Sequence, residues 1–499
     1  MTSFPPLKDT FKSEVTPTSL QVHDASKLPS LPLPGDLKLP QLPSPPRDPS
    51  SFFPGYSVST HLVPGAYPRY GYLSPRRALP NGLQAAQSGS VPQSTNPTAH
   101  IAADDAPPDS VGRSVKKAWA EERRNQLVDG GWKILDMWGE LSESDVEQWV
   151  KDAVSRGDTG PATWSVVNRY ARVLEPSGKE GRDKRTGLTL FAWHANGMHK
   201  ETYEPVLKRL IELCDAPQSP VRIDEVWSFD ASNTGDGALV NAGKIEDYTE
   251  WVDDVRDLFS FIDNYLPSTF TQSKLPIHIP RLDERVAERR VMAGVEGRIL
   301  MGIGHSFGGC VIANAACRRP NIFKSLTLIE PVLFHTLRRE QTFYVVAALS
   351  RRSHWESREE AKKVLRKNPA LMGWHPESLD AFVRYAICDA PPGGVKLKMS
   401  PFQEAVSFAH GTLGIETWDL LERLLDSVRL RWIMAEHPGL GTVEDMNHMV
   451  WRRLRNSSNV IVKKSHHLVL QEQPDAVARA TYGDWKELFG SYSGAPAKL

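Results

Sequence analysis

Hydrophobic and polar positions follow two regimes along the chain. From about residue 164, apolar runs of strand length alternate with stretches in which apolar residues recur every three or four positions. The runs Trp164–Val173, Gly187–Trp193, Arg222–Phe229, Arg298–Ile303, Ser325–Ile329, Val428–Ala435 and Asn459–Lys463 predict strands. Helical periodicity covers Tyr203–Leu213, Asp247–Tyr265, Phe307–Arg318 and Asp475–Phe489. That alternation predicts an α/β fold: a mostly parallel central sheet with helices on both faces. Two segments interrupt it. Residues 267–296 are a polar insertion, and residues 334–427 read as mostly helical and carry several Trp and His, with no strand pattern. A helical lid belongs in such an excursion.

Upstream the pattern is lost. Of the 38 prolines, 20 fall in residues 1–110, in strings such as Leu31-Pro-Leu-Pro34 and Ser44-Pro-Pro46. Closely spaced prolines remove backbone donors and forbid helix, so residues 1–112 are expected to be a disordered tail of polyproline II character. The aromatics around Phe52, Phe53, Tyr56 and Tyr67–Tyr72 read either as a short linear motif or as a tail without a specific partner. Residues 113–160 form a helical preface expected to pack on the main domain. Ser114–Val128 is charged and Ala-rich, and Ser144-Asp-Val-Glu147 is a capping box ahead of Trp149. The main domain spans residues 161–490, followed by a C-terminal tail, 491–499.

Sixty Lys and Arg balance sixty Asp and Glu. With no net field to attract a polyanion, neither nucleic acid nor an anionic membrane is an expected partner. No run of 18 apolar residues occurs, and Met1-Thr-Ser-Phe-Pro-Pro6 is not a secretory signal. Cys214, Cys310, Cys317 and Cys388 have no C-x-x-C spacing, so free thiols in a reducing compartment are expected. The excursion's His335, His354, His375 and His410 lack metal-binding spacing, and no glycine-rich phosphate loop is present. No metal or cofactor is implied. Ala497-Lys498-Leu499 is a variant of the Ser-Lys-Leu address read by the peroxisomal import receptor.

The candidate chemistry centres on Gly304-His-Ser306-Phe-Gly308, of the form G-x-S-x-G. It follows an apolar run and opens a small-residue helix. A sharp strand-to-helix turn there would lift the Ser306 hydroxyl clear of the sheet and aim the Phe307 amide at an oxyanion.

These features resemble the α/β-hydrolase fold over roughly residues 164–490. The resemblance implies an oxyanion loop after the second main-domain strand, in Phe191-Ala-Trp-His194-Ala-Asn-Gly197-Met198. With Asn196-Gly197 in place of the family's His-Gly pair, Met198 is the expected second amide donor and Asn196 the alternative. His467, in His466-His467-Leu-Val-Leu-Gln-Glu472, matches the family's general base. The usual acid would follow the run Val428–Ala435, but Pro438 stands at its position. Glu330, in Leu328-Ile-Glu330-Pro331, is the preferred substitute and Glu436 the alternative; Asp230 and Asp236 are read as structural.

Within the fold, the chain is similar to fungal peroxisomal α/β-hydrolases, a group that includes enzymes of toxin and secondary-metabolite biosynthesis. The resemblance implies a cofactor-free serine hydrolase in which Ser306, His467 and Glu330 cleave an ester or thioester through an acyl-enzyme. Trp355, Trp374, Phe382 and Trp418 together suggest a small-molecule apolar acyl or polyketide-like substrate, although any one of them taken singly reads first as lid core. A peroxisomal location is expected, with cytoplasmic the alternative. Two rival functions remain: a lyase or acyltransferase using the same serine, and a regulatory or scaffold protein with an inert hydrolase domain.

Overall fold

The computed structural model describes residues 2–5, 38–67, 69, 108, 110–124, 148, 151–152, 155–156, 160–173, 183–245, 249–334, 341–409 and 412–490. The capping box at Ser144, Trp149, His335, His410 and the last nine residues lie outside them.

The central sheet has eight strands: β1 (Tyr56–Pro64), β2 (Trp164–Arg172), β3 (Thr186–Trp193), β4 (Val221–Phe229), β5 (Ile299–His305), β6 (Ser325–Ile329), β10 (Arg429–Ala435) and β11 (Ser457–Val462). Their order is β1-β2-β4-β3-β5-β6-β10-β11, antiparallel at β1, β2 and β4 and parallel from β4 onward. All seven expected strands are present within two residues of their bounds. Successive side chains alternate between faces: Phe191 and Trp193 of β3 join one apolar core, Leu190 and Ala192 the other. Helices Trp251–Asn264 and Phe307–Arg318 cover the first face; Glu204–Asp215 and Pro474–Gly490 cover the second.

Residues 38–67 correct the expected extent of the disordered tail. Tyr56–Pro64 pairs antiparallel with β2 along its full length, from Tyr56 opposite Arg172 to Pro64 opposite Trp164. Val58, Leu62 and Val63 are buried. The prolines lie at the strand's end and beyond it, where a missing donor is tolerated. Ahead of β1, Ser44 donates to Asp236 at 2.5 Å and Arg47 pairs with Glu204. Residues 113–124 are helical, and Ala120 packs among Val345, Leu349, Phe402 and Val406.

The excursion between β6 and β10 is not purely helical. Helices Gln341–Ser350, Arg358–Leu365, Pro376–Tyr385, Pro401–Ala409 and Thr412–Leu421 are joined by a small antiparallel sheet of β7 (His354–Trp355), β8 (Ile387–Asp389) and β9 (Val395–Leu397), ordered β7-β9-β8. These strands of two or three residues are too short to leave a period-two pattern. Trp355, Trp374 and Phe382 form this unit's own core, and Trp418 belongs to the core over helix Phe307–Arg318, which follows the strand-to-helix turn, or elbow, at Ser306.

Candidate active site

Ser306 occupies the turn between β5 and helix Phe307–Arg318, at φ 55° and ψ −119°. For a residue with a Cβ this region costs about 1–3 kcal/mol and persists only where its surroundings enforce it. Here the Ser306 N–H donates to the Ile329 carbonyl at 2.9 Å, and its carbonyl accepts from Val332 at 3.1 Å. The next turn is packed onto β3 so closely that a Cβ on Gly308 would collide with the Trp193 and His194 carbonyls. A Cβ on Gly304 would meet the Gly308 carbonyl, so both glycines of the motif serve close backbone approach.

Ser306 Oγ lies 2.8 Å from His467 Nε2, and His467 Nδ1 lies 3.3 Å from Glu330 Oε2. Glu330 is 2 % exposed and sits at the end of β6 with φ 41°. Its Oε1 accepts the Ala435 N–H at 2.7 Å. Because β6 lies between β5 and β10, a side chain at its tip can span from the elbow to the start of the loop after β10. Among the described non-glycine residues, positive φ occurs at Ser306, Glu330, Asn456 and Lys464, so two of the four fall on this one hydrogen-bonded run. With a carboxylate on Nδ1, the imidazole carries its proton there and presents a lone pair to the serine hydroxyl. That arrangement can remove the Ser306 proton and stabilise the imidazolium that results.

Glu436, the alternative acid, is directed elsewhere. Its carboxylate accepts from Lys463 Nζ at 2.8 Å and from the Lys464 N–H at 2.8 Å, and these two donors hold it below the usual range. His466 is exposed; its N–H donates to Glu472 at 2.7 Å.

The expected amide donors divide. Phe307 opens the helix, and its N–H makes no hydrogen bond among the described residues. The Met198 N–H donates to the Ala195 carbonyl at 3.0 Å, closing a turn. Met198 is therefore committed, and the Asn196 amide, which has no such partner among the described residues, is the available one. His194 explains the difference. β3 ends at Trp193, and His194 follows fully buried, accepting at Nε2 from the Ala231 N–H at 3.2 Å and donating from Nδ1 to the Ala195 carbonyl at 2.8 Å. Burial lowers its pKa to about 3, so it is a neutral anchor. His194-Ala195 thus occupies the place the sequence analysis gave to Asn196-Gly197.

Two further features were not anticipated. His305, inside the G-x-S-x-G motif, is buried, its pKa lowered by burial to about 3, and donates from Nε2 to the His467 carbonyl at 2.8 Å. The elbow thereby fixes the backbone of the residue that contacts it. Lys200 is buried among Asp230 (2.9 Å), Asp236 (2.6 Å) and Glu201 (3.1 Å), tying the loop after β3 to the loop after β4. Asp230 and Asp236 are thus ion-pair partners of a buried lysine. No group of His, Cys, Asp and Glu among the described residues has the arrangement of a metal site, and no described helix is long and apolar enough to cross a membrane.

Known proteins match part of this chain. The Type I acyl-CoA thioesterase mpaH of Penicillium roqueforti is 29% identical over 221 residues, 42% of this chain and 42% of that protein. The related mpaH' of Penicillium brevicompactum is 28% identical over 268 residues, 51% of this chain and 52% of that protein. The match therefore spans about half the length of these curated relatives. Peroxisomal membrane protein LPX1 of Saccharomyces cerevisiae is 25% identical over 324 residues, 60% of this chain and 76% of that protein. The solved structure of the Saccharomyces cerevisiae peroxisomal alpha-beta-hydrolase Lpx1 superposes with a TM-score of 0.53 at 20% identity, covering 68% of this chain and 86% of that one, a likeness of fold. The profile described as "Alpha/beta hydrolase family" matches residues 190–480, more than half of the chain, from within β3 through every strand from β4 to β11, and the protein belongs to that family.

Proposed function

We propose that the protein is a serine hydrolase that cleaves an acyl thioester or ester through a covalent acyl-enzyme. The continuous run from Glu330 through His467 to Ser306 is the observation that carries this. Ser306 Oγ attacks the acyl carbonyl as its proton passes to His467 Nε2. The amides of Phe307 and Asn196 receive the oxyanion of the tetrahedral intermediate. His467 returns the proton to the departing thiolate or alkoxide, and water, deprotonated by the same imidazole, then releases the acid. Glu330 stays ionised and holds the imidazolium.

A thioester is favoured over a simple ester by the thioesterase relatives in Penicillium, which are acyl-CoA enzymes by name. A peroxisomal location is part of the same proposal, supported by Ala497-Lys498-Leu499 and by the peroxisomal relative in yeast. The test uses the full chain with acyl-CoA thioesters and matched oxoesters of graded length, together with a fluorophosphonate probe. Wild type should be labelled and turn over; Ser306→Ala should do neither. Labelling that survives Ser306→Ala would reject the assignment of the nucleophile. Deleting residues 497–499 should change a fluorescent fusion from punctate to diffuse.

A further inference from the structure

We infer that Glu404 is a positioning residue for the oxyanion loop, acting from the helical excursion and held in place by Arg351. It rests on the serine-hydrolase proposal above and adds a residue outside the Ser306–His467–Glu330 run. Glu404 lies on helix Pro401–Ala409 and is 8 % exposed. A carboxyl group buried to that degree needs a partner, and Arg351, just past helix Gln341–Ser350, supplies one through its Nη1. The other carboxylate oxygen is pressed onto Gly197, where a Cβ would collide with Oε1. The same residue contributes its main chain, since Asn196 Nδ2 donates to the Glu404 carbonyl at 3.4 Å.

The loop needs such a stop. Ala195-Asn196-Gly197 ends in a glycine at φ 74°, which can move over a wide range of backbone angles at little expense. Its internal bonds are local: Met198 N–H to the Ala195 carbonyl at 3.0 Å and Gly197 N–H to Asn196 Oδ1 at 3.1 Å. Neither fixes the loop relative to Ser306. The loop's contacts beyond itself are with Glu404 on one side, through the carboxylate against Gly197 and the carbonyl that accepts from Asn196, and, through the neighbouring Lys200 anchor, with Asp230 on the other. An oxyanion donor contributes only if it is aimed before the charge develops, and a misplacement of about 1 Å can cost about 10²-fold in rate. The excursion thus helps set the position of the Asn196 amide.

Glu404→Ala, Glu404→Gln and Arg351→Ala are compared with wild type on an activated oxoester and on the matching thionoester, whose developing sulfur anion gains far less from amide donors. Glu404→Ala should lower kcat for the oxoester by about 10- to 10²-fold, with KM changed much less and the thionoester rate little changed. Glu404→Gln keeps the volume against Gly197 and should restore most of the oxoester rate. Arg351→Ala, on the more exposed partner, should fall between them and covers the case in which Glu404→Ala does not fold. Equal loss on both substrates, or a normal oxoester rate in both Glu404→Ala and Arg351→Ala, would overturn the inference. If wild-type turnover is indifferent to Ser306→Ala, the serine-hydrolase proposal itself falls and this one with it.

Discussion

Replacing Glu330 with glutamine isolates the charge behind His467. Because the Ala435 N–H points at Oε1 from 2.7 Å, the new amide is oriented: oxygen toward Ala435, NH2 toward His467 Nδ1. Nδ1 must then accept, and the imidazole proton moves to Nε2, facing Ser306 Oγ at 2.8 Å, where it cannot serve as base. The electrostatic loss is set by the 3.3 Å separation of Nδ1 and Oε2. At an effective dielectric of about 20, an imidazolium and a carboxylate that close attract by about 5 kcal/mol. At tenfold per 1.36 kcal/mol, kcat should fall by about 10³–10⁴-fold, in line with the ~10⁴ seen for a carboxylate-to-amide change in Ser-His-Asp enzymes. Thermal stability should change little, since the Ala435 bond survives. The assay is steady-state thioester turnover by the full chain, with a melting curve for each variant. Glu436→Gln is the control and should stay near wild type, because its carboxylate serves Lys463 and Lys464. Turnover of Glu330→Gln within about tenfold of wild type, a barrier change under 1.4 kcal/mol, would refute the reasoning.

Other outcomes follow from the same geometry. Gly308→Ala should lower stability by about 1–3 kcal/mol, read in a denaturant titration, because its methyl meets the Trp193 and His194 carbonyls. Tyr344→Phe loses the 2.6 Å bond from its hydroxyl to the Gly439 carbonyl while keeping its stack on Phe408, so a loss of about 1 kcal/mol is expected. Burial lowers the pKa of His61 to about 4 and of His194 and His305 to about 3, so the unfolded chain binds more protons than the folded one below pH ~6.5. Stability that is complete above that pH should be lost as pH falls toward 4, by up to about 4 kcal/mol per pH unit from the three together, measured by denaturant titrations at pH 7 and pH 5. Removing residues 1–113 deletes β1 and strips β2 of its partner, so the shortened chain should aggregate in light scattering where the full chain does not.

The architecture was legible wherever one physical pattern ran long enough. Strands at the centre of the sheet read as mostly apolar runs of strand length, and all seven runs picked out in this way became strands. β1 escaped because its apolar positions, Tyr56, Val58, Leu62 and Val63, are interleaved with Ser, Thr and His inside a proline-rich background. Composition averaged over a hundred residues outweighed nine that alternate locally. Long-range pairing with β2, more than a hundred residues away, is what makes those nine a strand, and no local rule contains it.

At the site, sequence could name the residue types but not the register that decides among them. Ser306 and His467 stand out through motif and order, whereas Glu330 and Glu436 differ only in which way a strand end turns. Ile329 of β6 is level with Ile433 of β10, which brings Glu330 beside the Ala435 N–H. Side chains alternate along a strand, so a one-residue difference in that pairing would reverse the directions of its neighbours. Glu436, one position beyond Ala435, turns to the side of Lys463 and Lys464. The loop proposed to hold the oxyanion follows the same logic: His-Ala-Asn-Gly admits two alignments, and the burial of His194 against Ala231 favours the one that leaves the Asn196 amide available. What selects each functional group is thus a hydrogen bond from another strand or loop. Glu404 is the extreme case, a glutamate with no motif around it, whose contact with Gly197 exists only because a helix some two hundred residues downstream folds back over the loop.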